Sequence, residues 1–398
     1  MPEITTFGDV DERSLRQLER CMEAGDAAFG VLCADHHPGY SQPIGGAIAY
    51  EGYISPSGVG YDIGCGNKAV KTDMTRADLD AGGGIARVMR DIRRRISFGV
   101  GVPDRERTDH PVLEKIEKAQ FKPQRKLAKL AREQLGTVGS GNHYVNVFAD
   151  EDDVIWIGVH FGSRGFGHRT ASGFLALAQG LAFEARAHEG EMDSPPTLLE
   201  VDSELGRSYI AAMQLAGEYA YAGRDVVCGR VLEILGAGAV HEVHNHHNFA
   251  WRETHGGRDY WVVRKGCTPA WPGQQGFVGG SMGEESVILE GARDPLGEKA
   301  LWSTVHGAGR VMSRREAAGK MRKGKVIRPG KVDWPAVQRR LREQGIHLVG
   351  GGADEAPEVY KRLPEVLAAH GGTIRVKQRL RPLGVAMAGR DVHDPYED

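Results

Sequence analysis

The sequence predicts a single mixed α+β domain, and three observations carry that prediction. Helical and strand-like segments alternate along all 398 residues without a fixed period, so no solenoid or propeller repeat is present. No linker-like stretch divides the chain, although its length would allow two average domains. The 55 glycines lie mostly in short clusters between periodic segments, which is the pattern of shaped loops on an ordered scaffold.

Taken in order, residues 11–27 repeat apolar positions at helical spacing, with Leu15, Leu18 and Met22 on one face. "FGVLCADHH" and "IGGAIAYEGYISPSG" read as short strands ending in polar turns. Residues 75–97 read as one helix closed by "GVGVP". The stretch 111–135 is mostly helical, with a break or kink at Pro123. Its many Lys and Arg read as a solvated face, with a polyanion groove as the alternative. "VIWIGVHFG" at 154–162 is apolar enough for a buried strand, and 203–236 carries the longest helical pattern in the chain. "DYWVVRKGCTPA" and "ESVILEG" return to strand character. Residues 333–369 read as helices, and "TIRVKQRLRPLGVAMAG" as a last strand.

The net charge of −2 excludes a basic nucleic-acid coat and leaves a local patch as the means of binding a polyanion. No apolar run is long enough to cross a membrane. The opening "MPEITTFGDVDERSLRQ" lacks the charged and apolar regions of a signal peptide. Cys21, Cys33, Cys65, Cys228 and Cys267 are an odd number at unrelated spacings, which argues against a disulfide framework and for the reducing cytoplasm.

In "SPSGVGYDIGCGNKAV", Asp62 and Cys65 stand three residues apart among Gly58, Gly60, Gly64 and Gly66. Such a frame suits either a tight turn around a structural cysteine or two ligands aimed at a metal or phosphate. Of 16 histidines, five lie at strand ends or beside glycine and asparagine: His37, His143, His160, His247 and His306. His188, His255, His347, His370 and His393 read as ordinary surface residues. Imidazole, thiolate and carboxylate together suit Mn, Co or Zn, and the thiolate can bridge two ions. The spacing matches neither paired CxxC nor HExxH, so an incidental polar loop fits "HEVHNHHNF" as well. "VGSGNH", "HFGSRGFG" and "HGAGRVMSR" each suit a phosphate cradle, with Arg164 and Arg310 as paired donors, although each alone also reads as a turn. His306, reachable between glycine and Arg310, can attack phosphorus as a nitrogen nucleophile. The plainer alternative is a histidine capping a helix that begins near Ala308.

These pieces, in this order, resemble the RtcB-type RNA ligase family over nearly the whole chain. "DHHPGYSQPIG", "GVGYDIGCG", "GSGNH", "HFGSRGFG", "HHNFAWRE", "RKGCTPA", "GGSMG", "HGAGRVMSR" and "DEAPEVYK" each look like a family block. The resemblance implies a single catalytic domain over residues 1–398, with a sheet-built cleft for metal and nucleotide and a polar extension at 390–398. It implies a GTP- and Mn-dependent enzyme joining RNA that ends in a 2′,3′-cyclic phosphate or 3′-phosphate to a 5′-hydroxyl. Zn or Co would also suit the ligands. Those implied for two ions are Asp62, Cys65 (bridging), His143, His160 and His247. His306 would carry GMP. The nucleotide would lie against Asn142, Asn146, Ser281, Ser286, Gly307, Ala308, Gly309 and Ala388. Arg164, Arg310 and Arg314 would hold phosphates, while Asp35 and His37 would orient ligands or handle protons. Implied partners are RNA ends, such as those of tRNA or damaged RNA, a nucleoside triphosphate and an archease-like activator.

The chain departs from the family at three places. Asn146 stands where a glutamate reads guanine, and an amide both donates and accepts, so it selects guanine less strictly. Ala388 precedes Gly389 where the family has lysine at the base. Gly279 replaces the proline of PGSMG, which loosens that loop. The expected activity is therefore ligation with a relaxed or altered nucleotide donor. A non-ligating protein that binds RNA ends and a metal-dependent nucleotide hydrolase are the alternatives.

Overall fold

In the computed structural model, which describes residues 3–187, 191–322 and 325–389, two sheets carry the fold. The first runs Glu3–Thr6, Phe29–His37, Ile44–Tyr50, Arg258–Lys265, Asn248–His255. Its first pair is parallel, and the helix Glu12–Ala24 makes the crossover. Asp11 starts that helix by accepting the Ser14 N–H at 2.7 Å, and Leu18, Cys21 and Met22 enter the core.

The second sheet has eight strands. Its path runs Gln275–Val278, Ser286–Gly291, Ile374–Gly389, Tyr144–Ala149, Val154–Phe161, Gly66–Thr75, Ala239–His246, and His347–Gly351 pairs alongside Ile374–Gly389 in parallel. Its two ends meet through side chains. Phe277 N–H donates to Asn245 Oδ1 at 3.1 Å, and Asn67 Nδ2 donates to the Phe277 carbonyl at 2.9 Å. The sheet therefore nearly closes on itself, and the chain is one mixed α+β domain.

The helix Glu204–Leu235 is 32 residues long, capped by Ser203, whose Oγ accepts the Gly206 N–H, and closed at Gly236. Tyr209, Met213 and Tyr219 pack into the core beneath the first sheet, whereas Val227 and Val231 pack against Ile157 and Val159 of the second. One helix thus seats both halves of the core.

Several elements differ from the sequence reading. The single helix expected at 75–97 is two, Arg76–Ala81 and Gly84–Arg95, because Gly83 adopts φ +97 and ends the ladder. The helical stretch 111–135 is three short helices, Pro111–Glu117, Lys122–Arg125 and Ala128–Gln134. Pro123 lies in the first turn of the second, where its missing N–H costs nothing. Between 333 and 369, the helices Trp334–Glu343 and Leu363–Ala369 flank the strand His347–Gly351, whose backbone pairs with the last strand. "GSRGFGHRTASGFLALA" contains the helix Arg164–Ala178, which its glycines disguise. No helix begins near Ala308; the next starts at Arg314.

His255 and His370, read as surface residues, are buried, and His347 is half-buried. His188, His393 and the extension 390–398 lie outside the described residues. His255 Nε2 pairs with Glu253 at 2.9 Å. His370 Nε2 accepts the Ala34 N–H at 3.0 Å, and its ring stacks on Phe7. Burial brings its pKa down from 6.5 to about 4. Between those values the unfolded ring holds a proton that the folded ring does not, so acid destabilises the fold across that window. His370→Gln, which can still accept from Ala34, should flatten the fall in melting temperature between pH 6.5 and 4. The part removed is on the order of 3 kcal/mol at the acid end. Identical pH profiles for variant and wild type would contradict this.

Candidate active site

Four segments distant in sequence bring the candidate ligands together. The Asp62–Cys65 turn, closed by Cys65 N–H donating to the Asp62 carbonyl at 3.0 Å, leads into the strand Gly66–Thr75. That strand lies between Val154–Phe161, with His160 near its end, and Ala239–His246, directly followed by His247. His247 N–H donates to the Cys65 carbonyl at 2.8 Å, which ties the two segments. His143 enters from the turn before Tyr144–Ala149.

Cys65 Sγ lies 3.7 Å from both His143 Nε2 and His160 Nε2, and the three atoms fall within 4.8 Å of one another. His143 Nε2 is 3.1 Å from Asp62 Oδ2. The His247 ring stacks on His160 at 5.1 Å and meets His306 edge-on at 4.9 Å. Gly162 is required beside them, because a Cβ there would sit 2.2 Å from Asp62 Oδ1. Asn67 sets the His160 tautomer. Its Nδ2 donates to Phe277, so its Oδ1 must accept from His160 Nδ1 at 2.7 Å, leaving the Nε2 lone pair facing Cys65. Asn67 was missed in the sequence, although strand alternation from Cys65 puts it on the same face.

The electrostatics favour a cation among these groups. Burial opposes ionisation of Asp62, but the hydrogen bond and charge of His143 outweigh it and bring the carboxyl to about 2. Burial and the Asp62 carboxylate push the Cys65 thiol up, so its thiolate needs a strong local positive charge. Burial keeps His160 and His247 neutral, as ligating imidazoles must be. His143 Nδ1 and His247 Nδ1 are buried without a hydrogen-bond partner. This set of one thiol, one carboxylate and three imidazoles fits a borderline divalent ion.

His306 follows the strand Ser303–Val305 and is held by Asp35, which is fully buried. Asp35 Oδ2 accepts the His306 N–H at 2.9 Å and the Gly307 N–H at 3.3 Å. The same oxygen lies 2.6 Å from His306 Nδ1, a close contact too bent to be a well-formed hydrogen bond. Burial would raise the Asp35 carboxyl, yet the His306 charge and hydrogen bonds hold it below its ordinary value. His37 lies close enough for the His306 charge to act on it. Burial first, then that charge, lower it to about 4.

The arginines converge less uniformly. Arg164 opens its helix at φ +54, a strained conformation for a side-chain-bearing residue. Its guanidinium borders His143: a Cβ at Gly139 would meet Arg164 Nη1 at 2.3 Å and His143 Nδ1 at 2.4 Å. Arg314 approaches Gly141 of the same turn. Arg310 bonds Glu355 Oε1 at 3.2 Å and Tyr360 Oη at 3.0 Å, while Arg314 pairs with Asp354 at 3.2 Å and Glu355 at 2.7 Å. Asp354, Glu355 and Tyr360 belong to "DEAPEVYK", to which the sequence reading gave no role.

Among the nucleotide-side candidates, Asn142 is exposed at the turn, whereas Asn146 is buried with Oδ1 lacking a partner. Ser286 Oγ accepts the Gly280 N–H at 3.1 Å and Ser281 Oγ donates to Glu284 at 3.4 Å, which shapes the "GGSMG" loop. Gly279 has a steric reason here: a Cβ would lie 2.3 Å from Tyr144 Oη. Gly307, Ala308 and Gly309 follow His306, with Ala308 buried. Ala388 is not brought beside Asn146. Val385 pairs with Asn146, so Ala386 and Ala388 project to the opposite face and pack with Val145 and Val147.

Among the described residues, no helix is long and apolar enough to cross a membrane. The family model described as tRNA-splicing ligase RtcB matches residues 24–122 and 111–388. The chain is 31% identical over 380 residues to the RNA-splicing ligase RtcB of Escherichia coli K12, covering 88% of each chain. It is 29% identical over 442 residues to the tRNA-splicing ligase RtcB of Archaeoglobus fulgidus, covering 91% of this chain and 88% of that one. With the tRNA-splicing ligase RtcB of Thermococcus kodakarensis it shares 28% identity over 458 residues, covering 94% and 91%.

Proposed function

The chain belongs to the RtcB family, and from that premise we propose that it is an RNA ligase whose nucleotide is carried on His306. The supporting observation is the His306–Asp35 pair beside the thiol–imidazole cluster. Asp35 sets its carboxylate charge 2.6 Å from Nδ1, so in this reading Nε2 is the nitrogen left for substrate. In this reading Nε2 attacks the α-phosphorus of a nucleoside triphosphate, GTP by family resemblance. A P–N bond forms, the P–O bond to pyrophosphate breaks, and Asp35 balances the charge on the ring. The nucleotidyl group passes from Nε2 to the 3′-phosphate of an RNA; a 2′,3′-cyclic end is first opened by water. Attack by a 5′-hydroxyl then joins the ends and releases the nucleoside monophosphate.

Asp62, Cys65, His143, His160 and His247 would hold two divalent ions, Mn by resemblance with Zn or Co also suited to the donors. Bound there, the ions supply charge neutralisation at phosphorus. Arg164, Arg310 and Arg314 would bind phosphate oxygens, the last two by exchanging Asp354 and Glu355 for substrate. Asn142, Ser281, Ser286 and the 307–309 loop would border the nucleotide. Asn146 would face the base with a free acceptor. Ala388, on the other face, would act only through packing. An archease-like activator and a cytoplasmic setting complete the proposal; all five cysteines are free and buried.

The test is incubation with Mn and each of the four labelled nucleoside triphosphates, followed by denaturing separation. Because an amide accepts and donates, label from GTP and at least one other triphosphate is expected. Label from GTP alone would refute relaxed donor choice. No label from metal-loaded protein would favour a non-ligating RNA-end binder, and turnover without label a hydrolase.

A further inference from the structure

We propose that Arg224 is a positioning residue that fixes the spacing of three of the four ligand-bearing segments of the metal centre. The proposal rests on the reading that Asp62, Cys65, His143, His160 and His247 hold the ions.

Arg224 projects from the helix Glu204–Leu235 and is fully buried. Its Nη1 donates to the Gly64 carbonyl at 2.9 Å and to the Phe161 carbonyl at 2.6 Å. Its Nη2 lies 3.0 Å from His246 Nδ1. Each of these three contacts falls on the immediate chain neighbour of a candidate ligand: Gly64 of Cys65, Phe161 of His160, and His246 of His247. The His246 Nδ1 also lies 2.9 Å from the Gly64 carbonyl. A single planar group thus grips all three segments from behind while touching none of the ligands. Movement of any one relative to the others would break a bond to a buried charge, which is costly.

The fourth contact shows how the charge is tolerated. Arg224 Nε donates to His244 Nε2 at 2.8 Å, which places the His244 proton on Nδ1, 3.4 Å from Asp225 Oδ1. Among the described residues, no carboxylate lies within ion-pair distance of Arg224 itself. Its compensation is relayed through His244 to Asp225, and the Asp62 carboxylate acts on it from farther away. The Tyr221 ring, 5.1 Å from the guanidinium carbon, covers it. A role in packing alone would be served by an apolar side chain without this desolvation cost. Lysine could not replace it, because one ammonium cannot span acceptors that the fork reaches from three nitrogens.

The experiment titrates Co2+ into metal-free wild type, Arg224→Lys and Arg224→Gln, reading thiolate-to-cobalt absorption beside circular dichroism and melting temperature. Groups that orient ligands change metal affinity about 10- to 100-fold. A fall of that size is expected in folded Arg224→Lys and Arg224→Gln, with a weakened thiolate band. A structural role alone would lower the melting temperature and leave the affinity of the folded fraction unchanged. Wild-type affinity in either folded variant overturns the proposal. Should both variants misfold, the Arg224 Nε resonance of wild-type protein must shift as Zn2+ is added, and a resonance unmoved at saturation overturns it equally. Failure of wild-type protein to bind Co2+ would instead refute the metal reading itself.

Discussion

His306→Ala loses the covalent nucleotide adduct and lowers end joining roughly 10^3-fold or more, the scale on which removal of a nucleophile acts. The loss should come without loss of metal. His306 faces the centre through ring contact with His247, but the closest donor set, Cys65, His143 and His160, is built from other segments. Nor should the fold suffer. The backbone N–H of residue 306 still donates to Asp35, and the side chain is partly exposed. Asp35→Asn provides the companion test. It preserves shape and an acceptor for the two N–H groups but removes the charge that faces the imidazole, so adduct formation should slow by about 10^2-fold or more. Labelling followed by denaturing separation, with metal analysis of the same samples, decides it. An adduct that survives in His306→Ala would place the nucleophile elsewhere.

Cys65→Ala has the second large effect: metal content at stoichiometric Mn or Co should fall to background, with affinity lower by about 10^2-fold or more. The thiol sulfur lies 3.7 Å from two imidazole nitrogens, so its loss removes the group that would join those ligands. The turn should persist. Its closure uses the backbone of Cys65, with N–H to the Asp62 carbonyl and its own carbonyl to His247, and neither bond needs sulfur. Metal analysis of folded variant protein that still shows full occupancy would remove Cys65 from the ligand set.

Much of the architecture could be read from local pattern because its causes are local. The helix Glu204–Leu235 announced itself by an apolar repeat between Ser203 and Gly236, a cap and a stop. "VIWIGVHFG" read as a buried strand because no polar side chain interrupts it before His160. Asp62 and Cys65 stood out since a carboxylate and a thiol framed by glycine have few structural uses. Errors arose where neighbours outside the window decide. His370 looked exposed beside polar residues, yet Ala34 and Phe7, far away in the chain, enclose it. His347–Gly351 became a strand because the edge of Ile374–Gly389 was open to it.

By itself, then, the sequence determined which chemistry the protein carries: a thiol, carboxylate and imidazole set, a reachable His306, arginines in glycine-rich loops, and the ordered blocks of one family. Only the tertiary structure decided how those groups stand to one another. It pairs Asp35 with His306 across 271 positions of chain, faces Ala388 away from Asn146, and gathers the residues next to Cys65, His160 and His247 around Arg224. The reason is physical. Residue type and short-range periodicity set what a side chain can do, whereas strand register, burial and the satisfaction of buried donors are settled by partners that approach only when the chain is folded.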